Sequence, residues 1–378
     1  MSALENRMGA LRRAARSDVL RRFGLWFAFV AVTAFFAIDS APFRSTFNLE
    51  NILQQNAIIG IVACGMTIMI ISGGFDLSVG AVAASSGVLA AVLSVHQSAI
   101  VVVIACLPIG LVVGFVNGYL IAKVRINPFV ATFAMASVVS GVLFVLTDGG
   151  NTEPGSNALT NGKSALAVAA TGRLGPIPVS FLILVACLLA CWFLLTRTKF
   201  GHYVYGVGGN EEASRLSGVP VQRVKIAAFM LGGVFAAMAG VLVVGETSVG
   251  SPTAGAAYPL DAIAICVVGG VALTGGVGRI EDVLVATLFL GVIANGLNEL
   301  GVNPSWQPVV TGAVIIVAVV LDQYNRRHKS ASRPGDTRLR SSRSERDEDG
   351  RSAGEPATAQ ATSAGSVRQH RRAQTRSG

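Results

Sequence analysis

Residues 100–121 read IVVVIACLPIGLVVGFVNGYLI, 22 positions without one Asp, Glu, Lys or Arg. At about 1.5 Å per residue, such a run makes a helix roughly 33 Å long, enough to cross the hydrocarbon core of a bilayer. Lipid offers backbone groups no hydrogen bonds, and a helix satisfies all of its own internally. Similar runs lie on both sides: Leu25–Ile38, Ile52–Ile71, Val79–Val95, Phe129–Thr147, Ile177–Leu195, Val224–Val244, Leu260–Leu273, Val283–Leu300 and Val309–Leu321. The reading is an all-α integral membrane protein with about ten transmembrane helices. Leu260–Leu273 is short and interrupted by Gly, the pattern of a broken or re-entrant helix. Leu25–Ile38 is short enough for a signal-peptide core, but no A-x-A site follows it, so it reads as an uncleaved first helix.

Composition agrees. Of 378 residues 52% are hydrophobic and 13% charged, with a mean hydropathy of +0.60, whereas a soluble domain carries about a quarter charged residues. The net charge of +9 sits at the ends. The arm 1–23 has six Arg against two acids, and residues 323–378 have thirteen Lys/Arg against six acids. Basic tails flanking a nearly neutral middle exclude nucleic-acid binding and suit the cytoplasmic face of a membrane, where anionic lipid lies. The predicted organisation is a basic arm 1–23, a transmembrane domain 24–322 and a basic, disordered tail 323–378. With both termini cytoplasmic, Lys123, Arg125, the loop 197–223 and Arg279 fall inside, and Asp148–Pro176 falls outside.

Two polar breaks carry the functional signal. Gly206–Gly218 reads as a short helix with both ends written in: Asn210 caps it, Glu211 and Glu212 favour its N-terminal dipole, and Gly218 closes it in a left-handed turn. Ala213, Leu216 and Ser217 share one face and Arg215 lies off it. A helix this short must be held by the chain or by a partner. The second break is Gly73-Gly74-Phe75-Asp76-Leu77-Ser78-Val79-Gly80. It reads either as helix punctuation or as a hinge or site in a permeation path. A similar pattern at Tyr258-Pro259-Leu260-Asp261-Ala262 places Asp76 and Asp261 at opposite membrane faces, consistent with two inverted five-helix halves.

Gly110, Gly114 and Gly118, like Gly232, Ala236 and Gly240, recur every four residues and read as close helix packing. Cys64, Cys106, Cys187, Cys191 and Cys266 lie in predicted spans without metal-ligand spacing and read as packing residues. Residues 157–164 approach a phosphate-binding loop, but Asn157 replaces its first Gly and no strand precedes it.

In family order between Asn51 and Asp322, several segments carry a resemblance: Gly73–Gly80, Asn127-Pro128-Phe129-Val130-Ala131-Thr132, Gly208–Gly218, Leu260-Asp261-Ala262-Ile263-Ala264, Gly269–Gly278, Asn295-Gly296-Leu297-Asn298 and Trp306-Gln307. Together they resemble the permease subunits of bacterial ABC importers for monosaccharides, of the ribose, xylose and galactose type. The departures are Phe75, where Ile is usual, and Asp282 and Pro308.

The resemblance implies a multi-pass protein of the bacterial cytoplasmic membrane, in a dimeric core with a second copy or a paralogue. Its partners would be a cytoplasmic ATP-binding subunit, an extracytoplasmic sugar-binding protein and membrane lipid. It further implies that Gly208, Gly209, Asn210, Glu211, Glu212, Ala213, Leu216 and Gly218 form the element that docks on the ATPase. The chain itself would bind no nucleotide, cofactor or metal. Because a sugar needs hydrogen-bond partners in the bilayer, Asp76, Ser78, Asn117, Asn127, Asn295 and Asn298 are the candidates for lining the path. Gly73, Gly74, Gly80 and Asp261 are hinge or structural candidates. The alternative is an ion-coupled secondary transporter with Asp76 and Asp261 as carriers. No nucleophile–base or metal-ligand pattern supports an enzyme.

Overall fold

The computed structural model describes residues 24–153 and 165–310, with 312–314, 316, 317 and 320. The basic arm, the tail 323–378 and the phosphate-loop-like stretch 157–164 lie outside the described residues. The helices, in chain order, are α1 (Gly24–Asp39), α2 (Thr46–Ile71), α3 (Val79–Ser94), α4 (Ala99–Ala122), α5 (Pro128–Thr147), α6 (Ala165–Thr171), α7 (Val179–Arg197), α8 (Lys199–Gly209), α9 (Glu211–Leu216), α10 (Val221–Thr247), α11 (Tyr258–Val268) and α12 (Ile280–Glu299). A small antiparallel hairpin of β1 (Arg173–Leu174) and β2 (Ile177–Pro178) precedes α7.

Six of these helices, α2, α4, α5, α7, α10 and α12, are long and apolar enough to cross a membrane, while α1, α3 and α11 are shorter apolar helices. The ten predicted spans are therefore not ten equal rods. At 16 and 11 residues, α3 and α11 fall short of the roughly 20 that a straight crossing needs. The final run, Val309–Leu321, is described only in part.

Helix α2 is the centre of the bundle. Its apolar window is 78% buried, against 17% for α5 and 22% for α4. It packs on α7, α10, α11 and α12, and α10 in turn packs on α3 and α4. The outward faces of α4 and α5 expose Ile100, Ile104, Val112, Phe133, Val142 and Val145. An apolar surface of this extent suits a lipid environment.

The small-residue stripes set how closely the helices approach. A Cβ on Gly110 would fall 2.0 Å from the Gly233 carbonyl oxygen, one on Gly114 2.3 Å from that of Phe229, and one on Gly118 2.7 Å from Ile226 Cα. These contacts fix α4 and α10 antiparallel, backbone against backbone; the close approach is what the spacing predicts, and the partner is new. The five cysteines are free and buried.

The chain between α2 and α3 is largely enclosed by the bundle, with Ser72, Gly74, Asp76 and Ser78 buried. Residues 74–76 have no regular secondary structure, and α3 begins against the segment that leads into α11. A Cβ on Gly80 would lie 2.2 Å from the Gly255 carbonyl oxygen and 3.2 Å from Pro259 Cδ. The starts of α3 and α11 therefore touch. This corrects the expectation that Asp76 and Asp261 occupy opposite faces: the two helix starts are neighbours.

Candidate functional site

The polar stretch 206–218 is two elements, of which sequence reasoning found one. Helix α8 was missed because its residues look like loop: four Gly, a His and two Tyr interrupt it. The available signal was Thr198, whose side chain caps the helix by accepting from Gly201 N at 3.2 Å, followed by buried residues at every third position, Gly201, Val204 and Val207. Helix α9 follows as predicted. Asn210 Oδ1 accepts from Ala213 N at 2.9 Å, Glu211 and Glu212 occupy the first turn, and Gly218 takes φ +81°.

Helix α9 turns one residue inward and leaves the Ala213 and Leu216 face outward. Ser214 is its buried residue, set near Gly206, whereas Leu216 is 79% exposed and Ala213 is also exposed. A one-turn helix can bury one position against its own loop, and here the small Ser fits close to α8. The apolar face of Ala213 and Leu216 is left outward. Arg215 chelates Glu212 through two hydrogen bonds of 2.6 and 3.1 Å, and Lys225 pairs with Glu211. The bond from Arg215, with a smaller push from Arg125, holds the Glu212 carboxyl below its usual range.

Behind α9 lies a junction of two helix ends and a loop. A Cβ on Gly208 would fall 1.8 Å from the Ile71 carbonyl oxygen and 2.5 Å from Gly276 N. Gly276 N donates to that same oxygen at 2.9 Å, and Tyr205 Oη donates to the Gly278 carbonyl at 2.8 Å. The end of α8, the end of α2 and the loop before α12 thus pack without side chains between them. A displacement of α8–α9 has no soft layer in which to be absorbed.

Three path candidates meet in one buried node. Asp76 Oδ1 accepts from Ser78 N and Ser78 Oγ, both at 2.6 Å, and Asn117 Nδ2 donates to Asp76 Oδ2 at 3.1 Å and to Ser78 Oγ at 2.9 Å. Asp76 is 1% exposed, and Ser78 and Asn117 are fully buried. Three donors offset the cost of burying the carboxyl, which has no Lys or Arg within ion-pair distance among the described residues. Asn117 Oδ1 has no hydrogen-bond partner there.

The other three path candidates are elsewhere. Asn127 is exposed and caps α5 by accepting from Phe129 N at 2.9 Å. Asn295 exchanges two 2.8 Å hydrogen bonds with Asn48, joining α12 to the first turn of α2. Asn298 accepts from Gln307 at 2.8 Å. Sequence reasoning missed Asn48, since a lone Asn in a first helical turn carries no signal of its distant partner. Among the hinge candidates, Gly73 has φ +92° at the end of α2, Gly74 packs on Phe229, Gly80 meets Gly255, and Asp261 lies in the first turn of α11.

A helical bundle with lipid-suited faces, broken helices and a self-capped polar helix at one end defines the class: a polytopic membrane transport protein. The family described as "Branched-chain amino acid transport system / permease component" matches residues 48–319. The chain is 40% identical to the ribose import permease protein RbsC of Escherichia coli (strain K12) over 296 residues, 78% of this chain and 91% of that protein. It is 40% identical to RbsC of Bacillus subtilis (strain 168) over 309 residues, 81% of this chain and 94% of that protein. To the galactose/methyl galactoside import permease protein MglC of Haemophilus influenzae it is 32% identical over 332 residues, 83% of this chain and 98% of that protein. No solved structure matches.

The chain belongs to this permease family. It is the membrane-spanning permease subunit of an ATP-driven importer, a transport protein and not an enzyme, multi-pass in the inner membrane. Permease components of such systems work with ATPase and binding-protein partners in general, and the ion-coupled carrier is not favoured.

Proposed function

We propose that the chain is the translocation subunit of a monosaccharide importer and that α9 is its contact with the ATPase. The observation that carries this is the 40% identity to ribose import permeases over nine-tenths of their length. The outward face of Ala213 and Leu216 on a capped, charge-flanked helix supports the contact. A soluble sugar-binding protein would deliver substrate at the opposite face, and a second copy or a paralogue would complete the core.

The ten-span topology with both termini cytoplasmic belongs to this reading, as does the relation of the halves by inversion. Supporting the inversion, a long helix, a non-helical break and a short helix occur twice, as α2–α3 and α10–α11, and the breaks meet at Gly80 and Gly255. In the described arrangement Asp76, Ser78 and Asn117 bond to one another. They would meet sugar only after the non-helical break 73–78 shifts, as alternating access requires. Asn127, Asn295 and Asn298 would likewise be uncovered by helix movement.

The test is purification from native membranes in mild detergent, with identification of the co-purifying chains, followed by sugar uptake in proteoliposomes. A stoichiometric ATPase, lost on Glu212→Lys, together with ATP-dependent pentose or hexose uptake, supports the reading. A folded preparation that carries no ATPase, or uptake that survives vanadate and collapses with an uncoupler, would sink it.

A further inference from the structure

The turn between α4 and α5, Lys123-Val124-Arg125-Ile126, lies at the same end of the bundle as α9. The α4–α10 register, Gly110 on Gly233, Gly114 on Phe229 and Gly118 on Ile226, runs on toward Ala122 and the first residues of α10. Helix α10 starts a few residues after α9 and packs on it. The turn and α9 are therefore side by side, and Arg125 is close enough to bear on the Glu212 carboxyl.

Both elements present an apolar side chain to the outside, Val124 at 53% exposure and Leu216 at 79%. Basic residues surround them: Lys123, Arg125, Arg215, Arg223 and Lys225, against Glu211 and Glu212. The two acids are taken by Lys225 and Arg215. Lys123, Arg125 and Arg223 keep no acidic partner among the described residues. Arg125 also holds φ +66° without being Gly, a conformation that is uncommon and persists where surroundings fix it.

We propose that this turn is a second docking element for the ATPase subunit, which would grip α9 and the α4–α5 turn together through an apolar groove with an acidic rim. The inference rests on the importer reading above. Charge selects the occupant. The chain's own arm and tail are strongly basic, as is the surface, so neither they nor the same face of a second copy fits it. Anionic lipid would also match the bare Lys and Arg, but the turn is continuous with α9, the ATPase contact proposed above, which favours the ATPase.

The test titrates the co-purifying ATPase subunit against the full-length chain in nanodiscs, reading affinity and the ATPase concentration that half-saturates turnover. Arg125→Glu is expected to weaken binding about tenfold, an effect that shrinks as salt rises and that high ATPase concentration restores. Arg125→Gly retains the left-handed turn at no strain and should weaken binding less, with melting unchanged, which separates lost charge from misfolding. Wild-type affinity in Arg125→Glu, while Glu212→Lys loses the ATPase, would overturn this inference and leave the importer reading standing. The same holds if Arg125→Glu alters dependence on anionic lipid and nothing else. An ATPase that fails to bind the unaltered chain would overturn both.

Discussion

Two adjacent glycines at the end of α8 make opposite predictions, and the contrast tests the three-way junction. In Gly208→Ala the new methyl would start 1.8 Å from the Ile71 carbonyl oxygen and 2.5 Å from Gly276 N. Both obstacles are backbone, so no rotamer change can clear them. The helix ends must part by roughly 1.5 Å or more to restore van der Waals contact. Overpacking of this kind costs about 1–3 kcal/mol. Parting the ends also strains the bond from Gly276 N to Ile71, worth about 1 kcal/mol. In Gly209→Ala the methyl meets nothing within 4 Å, and removing a helical Gly contributes about 0.5–1 kcal/mol of stability. The assay is thermal melting of the purified chain by tryptophan fluorescence, with ATP-driven uptake after reconstitution with ATPase and binding protein. Gly208→Ala should melt lower and lose uptake while the ATPase still co-purifies, because α9 itself is untouched. Gly209→Ala should melt at or above the parent and keep uptake. A Gly208→Ala variant with parental melting and uptake would show that these helix ends do not pack as described, and the transmission argument would go with it.

Other expectations follow from single contacts. Asp76→Ala removes the acceptor for Ser78 N, Ser78 Oγ and Asn117 Nδ2 inside the bundle and should cost about 1–3 kcal/mol per buried group left unpaired; melting unchanged within a degree would refute the node. Asn210→Ala removes the α9 cap and Gly218→Ala forces a side chain into φ +81°, each costing about 1 kcal/mol. Faster hydrogen exchange confined to 210–219 is the readout, and unchanged exchange counts against both ends. The reciprocal amides of Asn48 and Asn295 should give a coupling energy of about 0.5–2 kcal/mol in a double-mutant cycle of alanine variants; additive losses would mean that α2 and α12 are not joined there.

Much of this architecture is legible in the sequence, for physical reasons. A bilayer imposes length and apolarity on a helix, so runs such as Ile100–Ile121 declare themselves, and the structure ends that helix within a residue of the sequence boundary at each side. Capping is local chemistry, so Asn210 and Gly218 are readable without knowing the fold. The glycine stripes announce close approach, though not to which helix. What sequence hides is depth and pairing. Nothing local says that residues 73–78 are largely enclosed by the bundle, that Gly80 meets Gly255, or that Asn295 finds Asn48. Asp76, Ser78 and Asn117 were singled out one by one for polarity in an apolar setting, but that they bond to each other depends on where α4 packs. Helix α8 escaped notice because a helix held by tertiary contact can afford residues that helices otherwise avoid.

The meeting of Gly80 and Gly255 has a mechanical consequence. Where the start of one helix bears on the turn leading into another with no side chain between them, there is a fulcrum, a place where their separation is nearly fixed while their angle is free. The short helices beyond it, α3 on one side and α11 on the other, then act as the unequal arms of a pair of tongs. A small squeeze at one end of such a tool opens the other, and the gain depends on how far each arm reaches from the contact. Adding bulk at that contact would therefore do more than destabilise. It would widen the joint and rob the tongs of their throw, an effect that double electron–electron resonance between spin labels on the tips of α3 and α11 would register as a narrower spread of distances through the transport cycle.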